Sequence, residues 1–186
     1  VRSAMPSRTA HRLCPDAVFL RPNFEKYSAG SRAVMGIFRS VTQRIEQVSV
    51  DEAFLDVTAV AATCVQAREI AERIKEQVRA KEHLTVSIGV APNKFLAKLA
   101  SDMDKPDGLT VVPRTPEAIR MFLAGLPVGR IWGVGKVSEN RMRLLGLRTV
   151  GDVQKVGLEW LTAQFGDRYG THLWNLVHGW DDRPVC

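Results

Sequence analysis

Alternating apolar and polar residues on both sides of an acidic pair predict a β-hairpin. Residues 47–50 alternate before Asp51-Glu52, and residues 53–57 alternate after it. This period of two is typical of strands, because successive side chains point to opposite faces. The apolar phase changes across the two acids, so we predict that the chain reverses there, with Asp51 and Glu52 at the tip of the hairpin.

Apolar residues spaced three and four apart predict two long amphipathic helices, at 24–44 and 64–80. Asn23 and Asn93 precede helical patterns, and asparagine is a favoured N-cap residue. Helices and strands therefore alternate along the first part of the chain. The other helices are predicted at 9–13 and 94–103, and the other strands at 17–20, 84–90 and 109–112.

From Pro113 onwards the pattern is helical only. Before it, the order of elements matches a βαββαβ ferredoxin-like sheet without its first strand. We therefore predict an α+β fold, with an antiparallel or mixed sheet carrying helices on one face, followed by a small all-helical part. The missing strand and the absence of an initiator Met lead us to expect a piece of a longer protein. The later helices are predicted at 116–123, 136–145, 150–153, 158–165 and 168–177.

The net charge of +6 is concentrated at the two ends of the chain. Residues 1–23 hold four arginines and one aspartate, residues 24–112 are balanced at twelve of each sign, and residues 113–186 hold ten basic and seven acidic residues. Such a distribution is compatible with a polyanion bound from two sides.

Cysteine usage and hydropathy exclude several protein classes. The three cysteines are far apart and odd in number, which argues against a disulfide framework or zinc knuckle and fits a reducing cytoplasm. No apolar run approaches the roughly 18 residues of a membrane span, so we expect no membrane association. The four histidines show no ligand spacing with each other or with the cysteines.

The acidic pair and a nearby lysine are the first candidates for chemistry. Neighbouring carboxylates repel each other, and Mg²⁺, which prefers oxygen ligands, would remove that repulsion. The alternative is a solvated turn, since acids are common in turns. Lys105, in the turn Lys105-Pro106-Asp107-Gly108, could bind a triphosphate beside such a metal site, or it could be a solvated loop lysine.

A glycine-rich segment in the helical part is the second candidate. Gly133 and Gly135 would let the backbone turn tightly, and the helix that starts at Lys136 would offer free amides to a phosphate. This pattern is typical of a helix-hairpin-helix that binds DNA, although a simple helix connector is the alternative. Lys94 and Lys98 are either a solvated helix face or contacts to a nucleic-acid strand.

Together these motifs resemble Y-family translesion DNA polymerases, and best their bacterial DNA polymerase IV branch. Ser49-Val50-Asp51-Glu52-Ala53-Phe54-Leu55-Asp56 is similar to the catalytic motif of the family. Residues 87–101, followed by 105–108, resemble its second palm signature, and residues 133–136 match the position of its thumb motif. The resemblance covers nearly the whole chain in the right order.

The resemblance implies a domain organisation and an activity. Residues 1–23 would be a remnant of the fingers, 24–112 the catalytic palm, 113–180 the thumb, and 181–186 the start of a linker. The implied reaction is error-prone, template-directed transfer of a nucleotide from a dNTP to a primer 3′-hydroxyl, using two Mg²⁺ ions about 4 Å apart. Primer–template DNA and dNTP would be the partners of a cytoplasmic, nucleoid-associated monomer, with a sliding clamp as a further candidate partner of the full-length protein.

The resemblance also implies roles for single residues. Asp51 would bridge both metal ions, and Glu52 would hold the ion near the primer terminus. Lys105 would contact the incoming triphosphate, and Lys98 would contact DNA. The residues expected to hold a DNA backbone phosphate are Gly133, Gly135 and Lys136.

The chain departs from the family pattern at its beginning. The family places another metal-ligating Asp in its first strand, and Asp16 does not match that position. We therefore expect the isolated fragment to be inactive or nearly so. The competing interpretation is a non-catalytic DNA-binding module that uses the helix-hairpin-helix, and a nuclease is disfavoured because no further acid or histidine lies at a useful spacing.

Overall fold

The computed structural model describes residues 1–2 and 4–186, and it has nine α-helices and four short β-strands along them. None of the helices in this part of the chain is both long and apolar enough to cross a membrane. The strands are β1 (Ile45–Gln47), β2 (Ala53–Leu55), β3 (Ile88–Val90) and β4 (Leu109–Val111). The helices are α1 (Ser7–Leu13), α2 (Phe24–Arg39), α3 (Cys64–Glu82), α4 (Lys94–Ser101), α5 (Pro116–Ala124), α6 (Lys136–Leu144), α7 (Val150–Lys155), α8 (Leu158–Phe165) and α9 (Asp167–Val177).

Side-chain caps fix the start of the helices that carry the site. The Asn23 side chain accepts a hydrogen bond from the Lys26 amide at 2.9 Å, and the Asn93 side chain accepts one from the Leu96 amide at 3.0 Å. Both predicted N-caps are confirmed. Thr63 and Gln66 form a reciprocal capping box at the start of α3, which satisfies two amides that the helix itself leaves unpaired.

Helix α2 ends five residues earlier than predicted, at Arg39 instead of residue 44. The Thr42 hydroxyl donates to the Asp56 carbonyl at 2.8 Å, and Arg44 pairs with the Asp56 carboxylate at 3.2 Å. These contacts to the end of the hairpin hold residues 40–44 as a non-helical connection that leads into β1.

The predicted hairpin is present, with a different tip. β1 and β2 pair antiparallel, with Gln47 opposite Ala53. The Val48 and Ser49 amides both donate to the Glu52 carbonyl, at 2.9 and 3.2 Å. The sequence suggested a two-residue turn made of Asp51 and Glu52, and the observed turn is longer. Glu52 therefore lies at the base of the turn, and only Asp51 of the acidic pair lies in its tip.

The four strands form two separate pairs within the described residues. β3 and β4 run parallel and are connected by α4, so the α+β class is confirmed while one continuous sheet is not present in this part of the chain. The predicted strand at 17–20 is wrong, since these residues have no strand structure. The strand predicted at 84–90 begins only at Ile88.

The described residues contain two apolar cores. One core is formed by Ile37 of α2 and by Ile70, Ile74 and Val78 of α3, and Leu55 of the hairpin packs against it. The other joins the buried face of α4 to helices α5 to α9, and it includes Phe95, Leu96, Leu123, Met142, Leu161, Leu173 and Leu176. Burying each such side chain contributes about 1.5–3 kcal/mol, so α4 is held firmly while its remaining face carries Lys94 and Lys98.

Candidate active site

The two hairpin carboxylates have different surroundings. Asp51 is exposed, and its carboxylate accepts a hydrogen bond from the Ser49 hydroxyl at 2.6 Å. Glu52 is 40% exposed at its side chain and accepts a hydrogen bond from the Lys98 ammonium. Both carboxylates therefore remain open to solvent, while Glu52 alone is joined to another element of the fold.

A chain of alternating charges leads from the hairpin to the predicted triphosphate lysine. Lys98 pairs with Glu52 and also lies 3.6 Å from the Asp102 carboxylate. Asp102 in turn pairs with the Lys105 ammonium at 2.6 Å. The structure thus brings Glu52, Lys98 and Lys105 into one network, in which Asp102 is the member that sequence reasoning missed.

The pKa values of the two central groups reflect this network. Burial alone would lower the pKa of Lys98, but the hydrogen bond to Glu52 and the charge of Asp102 outweigh it and raise the pKa above its usual value. Burial would raise the pKa of Asp102, but hydrogen bonding to Lys105 and the charge of Lys98 hold it below its usual value. Both groups are therefore charged at neutral pH.

Lys94, the first residue of α4, forms an ion pair with strand β1 of the hairpin. It is 8% exposed and pairs with the Glu46 carboxylate at 2.6 Å. Its ammonium also donates to the Pro184 carbonyl at 3.0 Å and lies 5.4 Å from the centre of the Phe54 ring. The interpretation of Lys94 and Lys98 as a solvated helix face is therefore wrong, because both side chains turn toward carboxylates of the hairpin.

The glycine-rich segment forms an open loop before α6. Gly133 has a φ of +90°, a left-handed conformation that favours glycine. Gly135 is the N-cap of α6, and a Cβ built on it meets no heavy atom within 4 Å among the described residues. Lys136 begins the helix, and its side chain is 88% exposed. The space at the Cβ position of Gly135 is therefore open among the described residues.

Glu139 forms two ion pairs within α6. Its side chain is 11% exposed and pairs with Lys136 at 3.1 Å and Arg143 at 2.8 Å. A Cβ at Gly129 would lie 2.8 Å from its carboxylate, so glycine at 129 allows the 3₁₀ turn Val128–Arg130 to pack directly against α6. Hydrogen bonding to Lys136 lowers the pKa of Glu139, with further help from Arg143.

Trp132 brings the glycine loop against the acidic hairpin. Its ring centre lies 6.0 Å from that of Phe54 in β2, and the Arg183 guanidinium lies 4.6 Å from the Trp132 ring. Neither Trp132 nor Arg183 was singled out from the sequence. The predicted DNA-binding loop and the predicted metal-binding hairpin are therefore neighbours.

The described residues contain no group of three or more His, Cys, Asp or Glu side chains that could hold a metal ion. Asp51 and Glu52 are thus a pair without a third protein carboxylate in this part of the chain. Mg²⁺ sites that handle nucleotides commonly use one or two carboxylates and complete their ligands with water and phosphate. The pair fits that kind of site.

Comparison with known proteins covers both parts of the chain. A family model described as the impB/mucB/samB family matches residues 1–102, and a model described as the thumb domain of DNA polymerase-iota matches residues 129–181. DNA polymerase IV of Pseudomonas aeruginosa (strain UCBPP-PA14) is 49% identical over 185 residues, which is 100% of this chain and 52% of the relative. DNA polymerase IV of Xanthomonas campestris pv. campestris (strain 8004) is also 49% identical, with 51% of it covered.

Solved structures are similar over the whole chain as well. The crystal structure of DinB from Sulfolobus solfataricus has a TM-score of 0.90 at 34% identity, covering 100% of this chain and 54% of that one. An insertion ternary complex of Dbh DNA polymerase has a TM-score of 0.88 at 33% identity, with 100% and 54% covered. This chain spans about half the length of the relatives it matches.

Proposed function

We propose, since this chain belongs to the impB/mucB/samB family of Y-family polymerases, that it forms the catalytic core of a DNA polymerase that adds dNTPs to a primer 3′-hydroxyl. The family resemblance of the sequence motifs is confirmed. The observation that carries the proposal is the network from Glu52 through Lys98 and Asp102 to Lys105. This network links Glu52, whose carboxylate could bind a metal ion, to Lys105, whose ammonium could bind a triphosphate.

Asp51 and Glu52 are the residues that would hold the divalent cation. Magnesium, and two ions instead of one, are our proposal within the divalent-metal dependence that the relatives imply. When bound, the ions would supply positive charge that favours deprotonation of the primer hydroxyl and stabilises the phosphoryl group being transferred. Lys98 keeps the Glu52 carboxylate in place by its ion pair.

Lys105 is the proposed contact to the triphosphate. Its side chain is 54% exposed, so it can meet a ligand while Asp102 restricts its position. Lys98 remains our candidate for a contact to a DNA strand at the same site. Gly133, Gly135 and Lys136 are proposed to hold a backbone phosphate, which fixes the position of the duplex without reading its sequence.

The wider assignments are also proposals. They are a fingers remnant at 1–23, a palm at 24–112, a thumb at 113–180 and a linker from 181. Translesion synthesis in the cytoplasm, association with the nucleoid, a monomeric state and recruitment by a sliding clamp belong to the same proposal. Inactivity of the isolated chain stays a prediction, based on the third carboxylate that the described residues lack.

The test uses a chimeric polymerase, in which residues 1–186 replace the aligned half of P. aeruginosa DNA polymerase IV. We expect Asp51→Asn to reduce primer extension by at least about 100-fold, because the metal contributes several kcal/mol to the transition state. The affinity for primer–template DNA should stay within about twofold. The matched control is Asp16→Asn, which removes an exposed carboxylate outside the site.

The outcome separates the enzyme from the binding module. Loss of extension in Asp51→Asn with unchanged DNA affinity supports the polymerase. A variant that extends normally, or one whose DNA affinity falls as much as its rate, contradicts the catalytic role and favours a DNA-binding module.

A further inference from the structure

A lysine on the far side of the predicted triphosphate turn is surrounded by oxygen atoms. Lys75 lies on α3, and its side chain is 15% exposed. Its ammonium lies 2.8 Å from the Val86 carbonyl, 2.7 Å from the Asp107 carbonyl and 3.3 Å from the Gly108 carbonyl. It also pairs with the Asp107 carboxylate at 2.5 Å. Three N–H donors therefore face four acceptors, and three of these acceptors belong to two consecutive residues of one turn.

The turn has a backbone path that few sequences could follow. Asp107 has a φ of +56°, a left-handed conformation that Asp and Asn tolerate better than most residues. Gly108 is buried, and a Cβ there would lie 2.1 Å from the Asp104 carbonyl oxygen. Arg79, also on α3, pairs with the second oxygen of the Asp107 carboxylate. Lys75 and Arg79 of α3 therefore hold the turn against that helix.

Lys105 depends on this turn for its position. It lies two residues before Asp107, and its own ion pair is to Asp102, three residues earlier in the chain. Asp102 restrains the ammonium end of Lys105, whereas the contacts of Lys75 restrain the backbone that follows it. The two restraints act on opposite sides of the same residue.

We propose that Lys75 is a positioning residue for nucleotide binding, which it serves by holding the Lys105-Pro106-Asp107-Gly108 turn so that Lys105 faces the incoming triphosphate. This inference rests on the proposed function. Lys75 contacts no substrate in it, and acts through Lys105. Replacing the ammonium with an apolar group of similar length would take this donor away from the part-buried Val86 and Asp107 carbonyls and release the turn, while the Gly108 carbonyl would keep its hydrogen bond from the Ile88 amide.

The experiment is a double-mutant cycle in the chimeric polymerase, with Lys75→Met, Lys105→Ala and the double variant. The measured quantities are the KM for dNTP, kcat and the affinity for primer–template DNA. We expect Lys75→Met to raise the KM for dNTP by about tenfold, since misplacing a substrate-contacting group is costly, while the DNA affinity stays within about twofold. Lys81→Met, an exposed lysine on the same helix, is the matched control.

The decisive result is non-additivity. Because Lys75 acts through Lys105, adding Lys75→Met to Lys105→Ala should raise the KM no further. A merely structural role would add its effect in full, or would weaken DNA binding equally, and either result overturns the inference. If Lys105→Ala leaves the KM unchanged, the proposed triphosphate contact itself has failed, which is a separate outcome.

A second variant keeps the test valid if Lys75→Met folds poorly. Asp107→Asn retains a residue type that tolerates the left-handed backbone and removes the charge that Lys75 and Arg79 share. We expect a smaller rise in the KM for dNTP, again absent in the Lys105→Ala background. An unchanged KM in Asp107→Asn overturns the inference, whether or not Lys75→Met can be measured.

Discussion

The Asp181 carboxylate connects the start of α4 to Arg183. The Asp181 side chain is 3% exposed, and its two oxygens accept hydrogen bonds from the Arg183 guanidinium at 2.6 and 2.8 Å. The Phe95 amide, in the first turn of α4, donates to the same carboxylate at 2.9 Å. Asp181 therefore holds both the start of α4 and the arginine that covers Trp132.

The stability that Asp181 contributes to the fold depends on its ionisation and is therefore sensitive to acid. Burial would raise its pKa, but the hydrogen bonds and charge of Arg183, with the Phe95 amide, outweigh burial and lower the pKa. A lowered folded-state pKa stabilises the fold above the unfolded value of about 4, and this contribution is lost as the pH falls through the folded value.

We predict that Asp181→Asn lowers the free energy of unfolding by about 2 kcal/mol at pH 7, because charge-assisted hydrogen bonds are lost. The difference from the unsubstituted chain should shrink as the pH is lowered below about 4. Urea denaturation at several pH values measures both quantities, with the neighbouring exposed Asp182→Asn as control. A difference that does not depend on pH would contradict the role given to the carboxylate.

Residues with local signals could be found from the sequence, and residues with distant partners could not. Asp51 and Glu52 are adjacent, and their flanking alternation marks a hairpin. Asp102 had a weak local signal, since it lies four residues after Lys98 and three before Lys105. Lys75 had none, because its carboxylate partner is 32 residues away.

At the level of elements, boundaries were the main error. Helices with a side-chain cap begin where the sequence predicts, because capping is a local interaction. The end of α2 and the start of β3 differ from the predictions, because strand partners and contacts across the hairpin decide them. The two short strand pairs follow from tertiary pairing that alternation alone does not specify.

The loop before α6 allows a test that separates DNA binding from stability. Gly135 has a φ of −82°, which alanine adopts without strain, and open space around its Cβ position. We predict that Gly135→Ala changes the unfolding free energy by less than about 1 kcal/mol, because the lower entropy of the unfolded chain offsets the weaker preference of alanine for the N-cap position. Its affinity for duplex DNA should fall by about tenfold, because the added methyl group occupies the space through which a phosphate approaches the backbone amides.

Binding of a labelled duplex by the 186-residue chain, together with thermal unfolding, measures both effects of Gly135→Ala. Gly125→Ala is the matched control, since that position has a φ of −77° and equally open surroundings away from the loop. If Gly135→Ala binds DNA as the unsubstituted chain does, the loop is a helix connector without a role in DNA binding.

On the scale of the whole molecule, the C-terminal segment ties the two cores together. The Asn93 side chain donates to the Gly179 carbonyl at 2.8 Å, and the Cys186 amide donates to the Glu46 carboxylate at 3.1 Å. With Arg183 against Trp132, these contacts link the hairpin, α4 and the glycine loop. A metal bound at the hairpin and a duplex bound at the loop would therefore keep a fixed position relative to each other.

The proposed catalysis depends on a divalent cation held by the hairpin carboxylates beside the Lys98–Asp102–Lys105 network. Paramagnetic Mn²⁺ added to the ¹⁵N-labelled chain tests this cation binding most directly, since the ion broadens the NMR signals of nearby amides even when binding is weak. We expect broadening centred on residues 49–53 and extending to 98–105, and we expect the double variant Asp51→Asn/Glu52→Gln to lose it. Broadening centred elsewhere, or unchanged in the double variant, would contradict cation binding by these carboxylates.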